Sequence, residues 1–228
     1  VWPLPQTGQM WLEYELLKNG SPESPGYFCL STSYRQEPNP VEGRHETIFP
    51  MFEFEMPGNI DDLKNLEYEL CRHMGFPKLD EKTYEEWCLE FNTDELDNYH
   101  EKQIDWGMIT KFPEHTSPFW NMTRNEDGKT SKKIDVILNG METIGSAERS
   151  TDGQYAQLLY DLFGKERVQK ELDEFLKFEF FPRVGGGIGV TRMIKAHKRV
   201  NVNFTTEFVD PKSGIMHGFA QSYGNPRP

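Results

Sequence analysis

Two stretches of this chain carry side chains at spacings suited to gripping a nucleotide. Arg35 and Glu37 stand two residues apart, which on a β-strand places them on one face, and Arg44 with His45 follows across a loop rich in Pro and Gly. An arginine at a strand end can fork two hydrogen bonds onto a phosphate. The same spacing also serves an exposed ion-pair ladder. Phe49 falls on the same side of the next strand, as a core or rim aromatic. The second stretch runs Gly185-Gly186-Gly187-Ile188-Gly189-Val190-Thr191-Arg192. Glycines at alternate positions leave a flat floor for a planar ring, and Arg192 would project from the first turn of a following helix. A glycine run alone equally makes a tight turn, but joined to the first stretch it is specific.

These residues need elements to hold them. Gln9 to Lys18 has helical apolar spacing and stops at Asn19-Gly20. Tyr27 to Glu37 alternates as a strand, with Cys29, Ser31, Ser33 and Arg35 on its polar face. A second strand from Ile48 to Met56 places Phe49, Met51, Glu53 and Glu55 on the cleft side. Residues 59–108 are acidic and helical in pattern, clearest over Asp61 to Met74, and read as an inserted subdomain. Ile134 to Asn139 and Thr143 to Arg149 form a hairpin joined by Asn139-Gly140. Tyr155 to Phe178 is helical with an interruption at Gly164, Val184 to Lys195 is a strand running into a helix, and residues 198–228 are a polar, turn-rich tail without an assignment.

Composition bounds the reading. The chain has 228 residues, enough for one domain with a sizeable core. With 36% hydrophobic and 27% charged residues, and 16 Phe, it should fold around an aromatic-rich core. A net charge of -12 argues against a surface built to grip nucleic-acid backbones, though not against a local basic cleft. Cys29, Cys71 and Cys88 lack CxxC spacing and suit a reducing cytoplasm. No apolar run approaches the roughly 18 residues that a membrane span needs.

YRQE, followed by a loop and RHETIFPMFEFEM, resembles motif 2 of the class II aminoacyl-tRNA synthetases of the aspartate, asparagine and lysine subgroup. PRVGGGIGVTR resembles their motif 3, and KIDVILNGMETIGSAER the segment between. The resemblance covers residues 4–56 and 109–195. It implies an α+β fold, an antiparallel sheet flanked by helices, with the acidic helical insertion outside it. It also implies ATP as substrate and Mg2+ as cofactor. Arg35 would meet the α-phosphate, with Glu37 beside it; Phe49 and Arg192 would sandwich adenine over Gly187 and Gly189; Arg44, His45 and Arg192 would hold the outer phosphates. Asp135 and Glu142 would share magnesium. Gln9 would reach the substrate amino group, Glu53 the amino-acid end of the pocket, and Arg149 a substrate carboxylate or amide oxygen. Glu142 and Arg149 are seven apart, so a bulge at Gly145-Ser146 is expected to bring them to one face.

Four departures shape the functional expectation. Leu12 stands where aspartyl enzymes carry a lysine, Glu53 where they carry an aspartate, Thr191 where an acidic residue usually precedes the motif 3 arginine, and Glu148 where the asparagine branch commonly has Gln. The GGGIGxTR form resembles ammonia-dependent asparagine synthetase. These residues include neither an anticodon-binding barrel nor the motif 1 helix. The expected activity is adenylation of aspartate and transfer to ammonia, with the role of Glu148 open between binding ammonium, binding the substrate amino group and pairing with Arg149. The alternative is the catalytic domain of an asparaginyl- or aspartyl-tRNA synthetase or a protein-modifying relative. The expected assembly is a homodimer, with tRNA a less favoured partner and no membrane involvement.

Overall fold

The computed structural model describes residues 6–36, 40–119, 121–151, 160–161, 164–200, 205–209 and 216–220. Helix α1 (Gln9–Asn19) leads into β1 (Tyr27–Tyr34) and β2 (Ile48–Pro57). Then come α2 (Ile60–His73), β3 (Asp80–Thr83), α3 (Tyr84–Phe91), the single turn α4 (Asn98–Glu101) and β4 (Trp106–Pro113). The chain continues through β5 (Thr130–Leu138), β6 (Met141–Glu148), α5 (Lys165–Phe175), β7 (Arg183–Gly189) and α6 (Val190–His197), and ends on a separate hairpin, β8 (Thr205–Val209) with β9 (Met216–Ala220).

One seven-stranded sheet in the order β1-β2-β7-β6-β5-β4-β3 holds the domain together. Every neighbouring pair in it is antiparallel except β3 with β4. Its even-numbered residues on β2, on β5 and on β6 from Ile144 onward look toward the back: Phe54, Ile134, Val136 and Ile144 join Leu63 and Cys71 of α2 and Met193 and Ala196 of α6 in the main core. On the front, α1 covers one end, burying Leu12, Leu16 and Leu17. At the other end α3 packs Tyr84, Trp87 and Cys88 on Ile109, Phe112 and Ile137. The middle of the front face, over β2, β7 and β6, stays open as a cleft.

Local chemistry sets the boundaries. Asn59 and Asp62 close a reciprocal capping box on α2, as Thr83 and Glu86 do on α3. Asn139 and Gly140 take φ of 56° and 74°, the two left-handed positions of a tight hairpin turn between β5 and β6. Helix α5 starts after Gly164, where the sequence indicated an interruption; residues 155–159 and 162–163 of that stretch lie outside the described residues. One reading needs correction. Residues 59–108 do not stand apart as an inserted helical subdomain: α2 supplies Leu63 and Cys71 to the main core, and β3 extends the sheet in parallel with β4. The tail, which the sequence left without an assignment, contains a hairpin in which β8 and β9 pair with each other.

Candidate active site

Register builds the floor of the cleft. One row across the front face runs Cys29, Glu53, Gly187, Gly145, Asp135, and the next runs Tyr27, Glu55, Gly185, Ala147, Lys133. Glycine is required at the second row's centre. A Cβ on Gly185 would lie 2.1 Å from Oε1 of Glu55, and one on Gly187 would lie 2.6 Å from Cε of Met51. The alternate glycines therefore leave room for the Glu55 carboxylate and the Met51 side chain of β2 as well as a flat surface.

Two contiguous cavities, of ≈ 240 and ≈ 330 Å³, occupy this floor. They share Arg35, Met51, Glu142, Gly145 and Gly187 as common walls. The first contains the aromatic and the cations read from sequence. Phe49 is half-buried, with the exposed Arg35 guanidinium 5.7 Å above its ring centroid. Arg192 donates to the backbone carbonyls of Glu142 at 2.5 Å and of Arg44 at 3.3 Å, which aims its guanidinium along the cavity wall. Nδ1 of His45 accepts from Val41 N at 3.0 Å, folding the loop back on itself. Arg44 differs from the expectation. It is buried, donates to Gly140 O at 2.9 Å and pairs with Glu101 of α4, so it anchors the loop rather than standing free for phosphate. Burial raises the Glu101 carboxyl pKa while Arg44 opposes the shift.

The second cavity is closed by α1. Glu53 is buried and saturated: it accepts from Thr7 Oγ1, from Gly8 N at 3.0 and 2.9 Å, and from Ser31 Oγ. Gln9 Nε2 donates to Phe54 O at 2.8 Å and to Glu55 at 2.6 Å. Glu55 also receives Arg149, from Nε and from the guanidinium terminus, both at 2.7 Å. Behind it, Glu13 binds Arg183 at 2.5 Å, lies 3.9 Å from Arg149 and accepts from Asn121 Nδ2 at 2.7 Å. Four buried charges thus cancel in pairs. Burial pushes the Glu55 pKa up against the pull of Arg149, and the Glu13 charge adds to the rise. Asn121 Oδ1 is buried without a partner, and Asn121 lines this cavity.

Glu142 lies at the shared wall, with Asp135 beside it beneath Gly145. The β5–β6 register shifts between Val136 and Ile137: Ile144 faces Val136, whereas Glu142 faces Ile137. The extra residue, Thr143, is a bulge that turns Glu142 to the front face alongside Asp135, Ala147 and Arg149. Oδ1 of Asp135 is buried and unpartnered, while Oδ2 pairs with Lys133. Burial and the nearby Glu142 raise the Asp135 pKa, with Lys133 opposing. Burial works against the Lys133 charge, but Asp135 and Glu142 outweigh it and hold the ammonium protonated. Two hard oxygens on adjacent strands, one of them orphaned, fit a magnesium ion that also takes phosphate oxygens. No group of three or more His, Cys, Asp or Glu able to hold a metal occurs among the described residues.

Comparison with known proteins places this architecture. The family model for class II tRNA synthetases (D, K and N) matches residues 2–201. The chain belongs to that family. The asparagine–tRNA ligase of Xylella fastidiosa is 30% identical over 112 residues, which is 48% of this chain and 24% of the ligase. Human cytoplasmic aspartate–tRNA ligase is 30% identical over 112 residues, 47% of this chain and 22% of the ligase. Among solved structures, the aspartyl tRNA synthetase of Entamoeba histolytica superposes with a TM-score of 0.71 at 19% identity, covering 86% of this chain and 49% of that one. The asparaginyl-tRNA synthetase of the same organism, in complex with asparaginyl-adenylate, gives 0.70 at 20%, covering 86% and 54%. The chain therefore spans about a quarter of the curated relatives it matches and about half of the solved ones.

Within this synthetase domain, most of the residues read from sequence converge. Arg35, His45, Phe49, Gly187, Gly189 and Arg192 line the first cavity; Gln9, Glu53 and Arg149 line the second; Glu142 lies between them. Glu37 lies outside the described residues. Two readings of the synthetase segment are corrected. The bulge is at Thr143, not at Gly145-Ser146, because Gly145 and Ser146 keep regular register with Asp135 and Ile134. Glu148 does not enter the cleft. Neighbours on a strand face opposite ways, so it points to the back, where it accepts from Ile60 N at the start of α2 at 2.7 Å and pairs with Lys132 at 2.6 Å. Sequence reading missed Glu13, Glu55, Arg183, Glu101 and Lys133. The signal for Glu55 was present: a second carboxylate two residues beyond Glu53 on a strand that had to meet a glycine strand.

Proposed function

We propose that this chain is the amino-acid-activating part of an asparaginyl-tRNA synthetase-like enzyme, which adenylates the α-carboxylate of asparagine with ATP. The observation that carries the proposal is the shared wall. One cavity has an aromatic face and arginines suited to a nucleotide, the other a charge-balanced polar pocket suited to a small amino acid, and Arg35, Glu142, Gly145 and Gly187 border both. A carboxylate in the second cavity and an α-phosphorus in the first would meet there. Placing the two reactants at that junction supplies the main catalytic effect.

In this reading Phe49 and Arg192 hold adenine from opposite sides. Arg35, exposed at the junction, donates to the α-phosphate as the amino-acid carboxylate attacks in line and pyrophosphate leaves. Arg192 and His45 receive the outgoing phosphates. Asp135 and Glu142 would hold magnesium, which supplies Lewis-acid neutralisation of phosphate charge. Arg44 contributes by fixing the loop and the carbonyl to which Arg192 binds.

Asparagine is favoured over aspartate because the cations lining the pocket's inner end are already paired, Lys133 with Asp135. Arg149 is already matched by Glu55 and approached by Glu13. A second carboxylate there would be buried with inadequate compensation, whereas an amide can accept from Arg149 and donate to the unpartnered Asn121 Oδ1. Transfer to ammonia loses its support, since Glu148, the candidate for binding ammonium, faces the other side of the sheet. The curated relatives cited above are tRNA ligases, so tRNA becomes the proposed acceptor.

We further propose a homodimer formed across the β1 edge, where Phe28 and Leu30 are 69% and 75% exposed on the back of an edge strand. All three cysteines are free, as a reducing cytoplasm would keep them. No helix among the described residues is long and apolar enough to cross a membrane. The functional test is ATP–pyrophosphate exchange screened over the twenty amino acids. Exchange with asparagine well above aspartate is expected. Exchange with aspartate alone would overturn the amide assignment, and amide formed from aspartate and ammonium would restore the ammonia reading.

A further inference from the structure

Lys133 is a cation that the expected ligand set does not use. It lies on the front face, two residues from Asp135 on the same strand, opposite Ala147 where Asp135 is opposite Gly145. Its ammonium pairs with Oδ2 of Asp135 and sits 3.8 Å from the centroid of the Phe112 ring, which fixes it against the α3 side of the cleft. The other Asp135 oxygen, Oδ1, is buried with no partner. A Cβ built on Gly145 would lie 2.8 Å from Glu142 Oε1 and 3.6 Å from Asp135 Oδ1, so both free oxygens converge over a position that carries no side chain.

Taking Asp135 and Glu142 as the metal-binding carboxylates proposed above, we propose that Lys133 is a resident cation of that pair. It holds one oxygen of Asp135, so that a divalent ion enters only together with nucleotide phosphates. Without nucleotide the protein offers an ion two carboxylates, one already shared with an ammonium. Magnesium or manganese needs about six oxygen ligands and is repelled by the fixed positive charge beside it. The nucleotide brings the missing oxygens and the negative charge that offsets the ammonium. Metal and nucleotide are thereby coupled, and the carboxylates are kept paired in the empty enzyme.

Mn2+ binding, followed by the electron paramagnetic resonance of the free ion, tests this without turnover. Nucleotide-free wild type should bind Mn2+ weakly, and a non-hydrolysable ATP analogue should tighten it. Removing the ammonium in Lys133→Met should tighten nucleotide-free binding by at least about tenfold, by the loss of one nearby like charge. Lys133→Arg, which keeps the charge, should behave as wild type, and Lys133→Gln serves if the Met variant does not fold. Equal nucleotide-free affinity in Lys133→Met and wild type would overturn the Lys133 assignment and leave the metal reading standing. If Lys133→Met gains affinity that Asp135→Asn does not abolish, or no form binds Mn2+ even with the analogue, the metal reading fails and this inference with it.

Discussion

Glu67 offers a test in which the structure sets both sign and size. It projects from α2 into the back of the sheet, 1% exposed, where Ser146 Oγ donates to its Oε1 at 2.5 Å and Oε2 has no partner. Burial, opposed by the Ser146 hydrogen bond and reinforced by Asp135, raises its pKa from 4.5 to about 8. The folded state therefore binds a proton that the unfolded state has released. The stability this proton confers is fully present below the unfolded value and is lost as pH rises to about 8. At about 1.4 kcal/mol per pH unit, the interval between the two values sets a ceiling near 5 kcal/mol, and relaxation around the ion should leave about 2–4. Glu67→Gln keeps an acceptor for Ser146 but cannot ionise. Urea unfolding of both proteins from pH 5 to 9 measures the difference directly. The two should be within about 1 kcal/mol at pH 5, with the variant the more stable by about 2–4 kcal/mol at pH 8.5. Glu55 also titrates, but it is common to both proteins and drops out of the comparison; Asp135 is coupled to Glu67, and that coupling is part of the measured difference. Parallel stability curves would refute the argument, because they would mean that Glu67 ionises in the folded protein without cost.

Three further outcomes follow from the site and its surroundings. Arg192→Ala removes the guanidinium braced on Glu142 and Arg44, and calorimetry should show ATP bound at least about tenfold more weakly with asparagine affinity little changed. Gly185→Ala drives a methyl into the Glu55 carboxylate, so thermal melting should show a loss of about 1–3 kcal/mol and the amino-acid KM should rise. Sedimentation equilibrium should give twice the chain mass, and Leu30→Glu on the exposed β1 edge should shift it toward one chain.

Periodicity and turn residues made the central hairpins and the glycine strand legible. Alternation in FPMFEFEM put Glu53 and Glu55 on the cleft side, and Asn139-Gly140 marked the β5–β6 turn. What sequence could not supply was anything decided by contacts across the fold. Glu148 and Arg149 are neighbours in sequence, yet only the register of β6 says which one faces the cleft. Thr143 carries no signature of a bulge; Gly145 and Ser146 look more permissive, but both hold regular pairing. DEKT at residues 80–83 is too polar and too short to read as a strand, and becomes one by pairing with β4. Arg44 reads as a phosphate ligand until Glu101, fifty-seven residues away, is seen to bind it.

That last contact bears on how the two cavities act together. Arg44 has its side chain fixed by Glu101 and by the Gly140 carbonyl of the β5–β6 turn, while its own carbonyl accepts from Arg192. Arg192 also binds the carbonyl of Glu142, whose carboxylate lies at the wall between the cavities. The β1–β2 loop, the turn next to the bulge and the first turn of α6 are thus tied at one point. A shift in any of them moves the guanidinium that would face the nucleotide and the carboxylate that would face its metal. The bulge at Thr143 is what makes this possible: with regular pairing Glu142 would fall opposite Leu138 and point into the back core beside Val136. Its carboxylate would be buried without a counter-charge, and Asp135 would have no second oxygen beside it. The one irregularity in the β5–β6 ladder therefore converts a structural hairpin into the wall shared by both cavities.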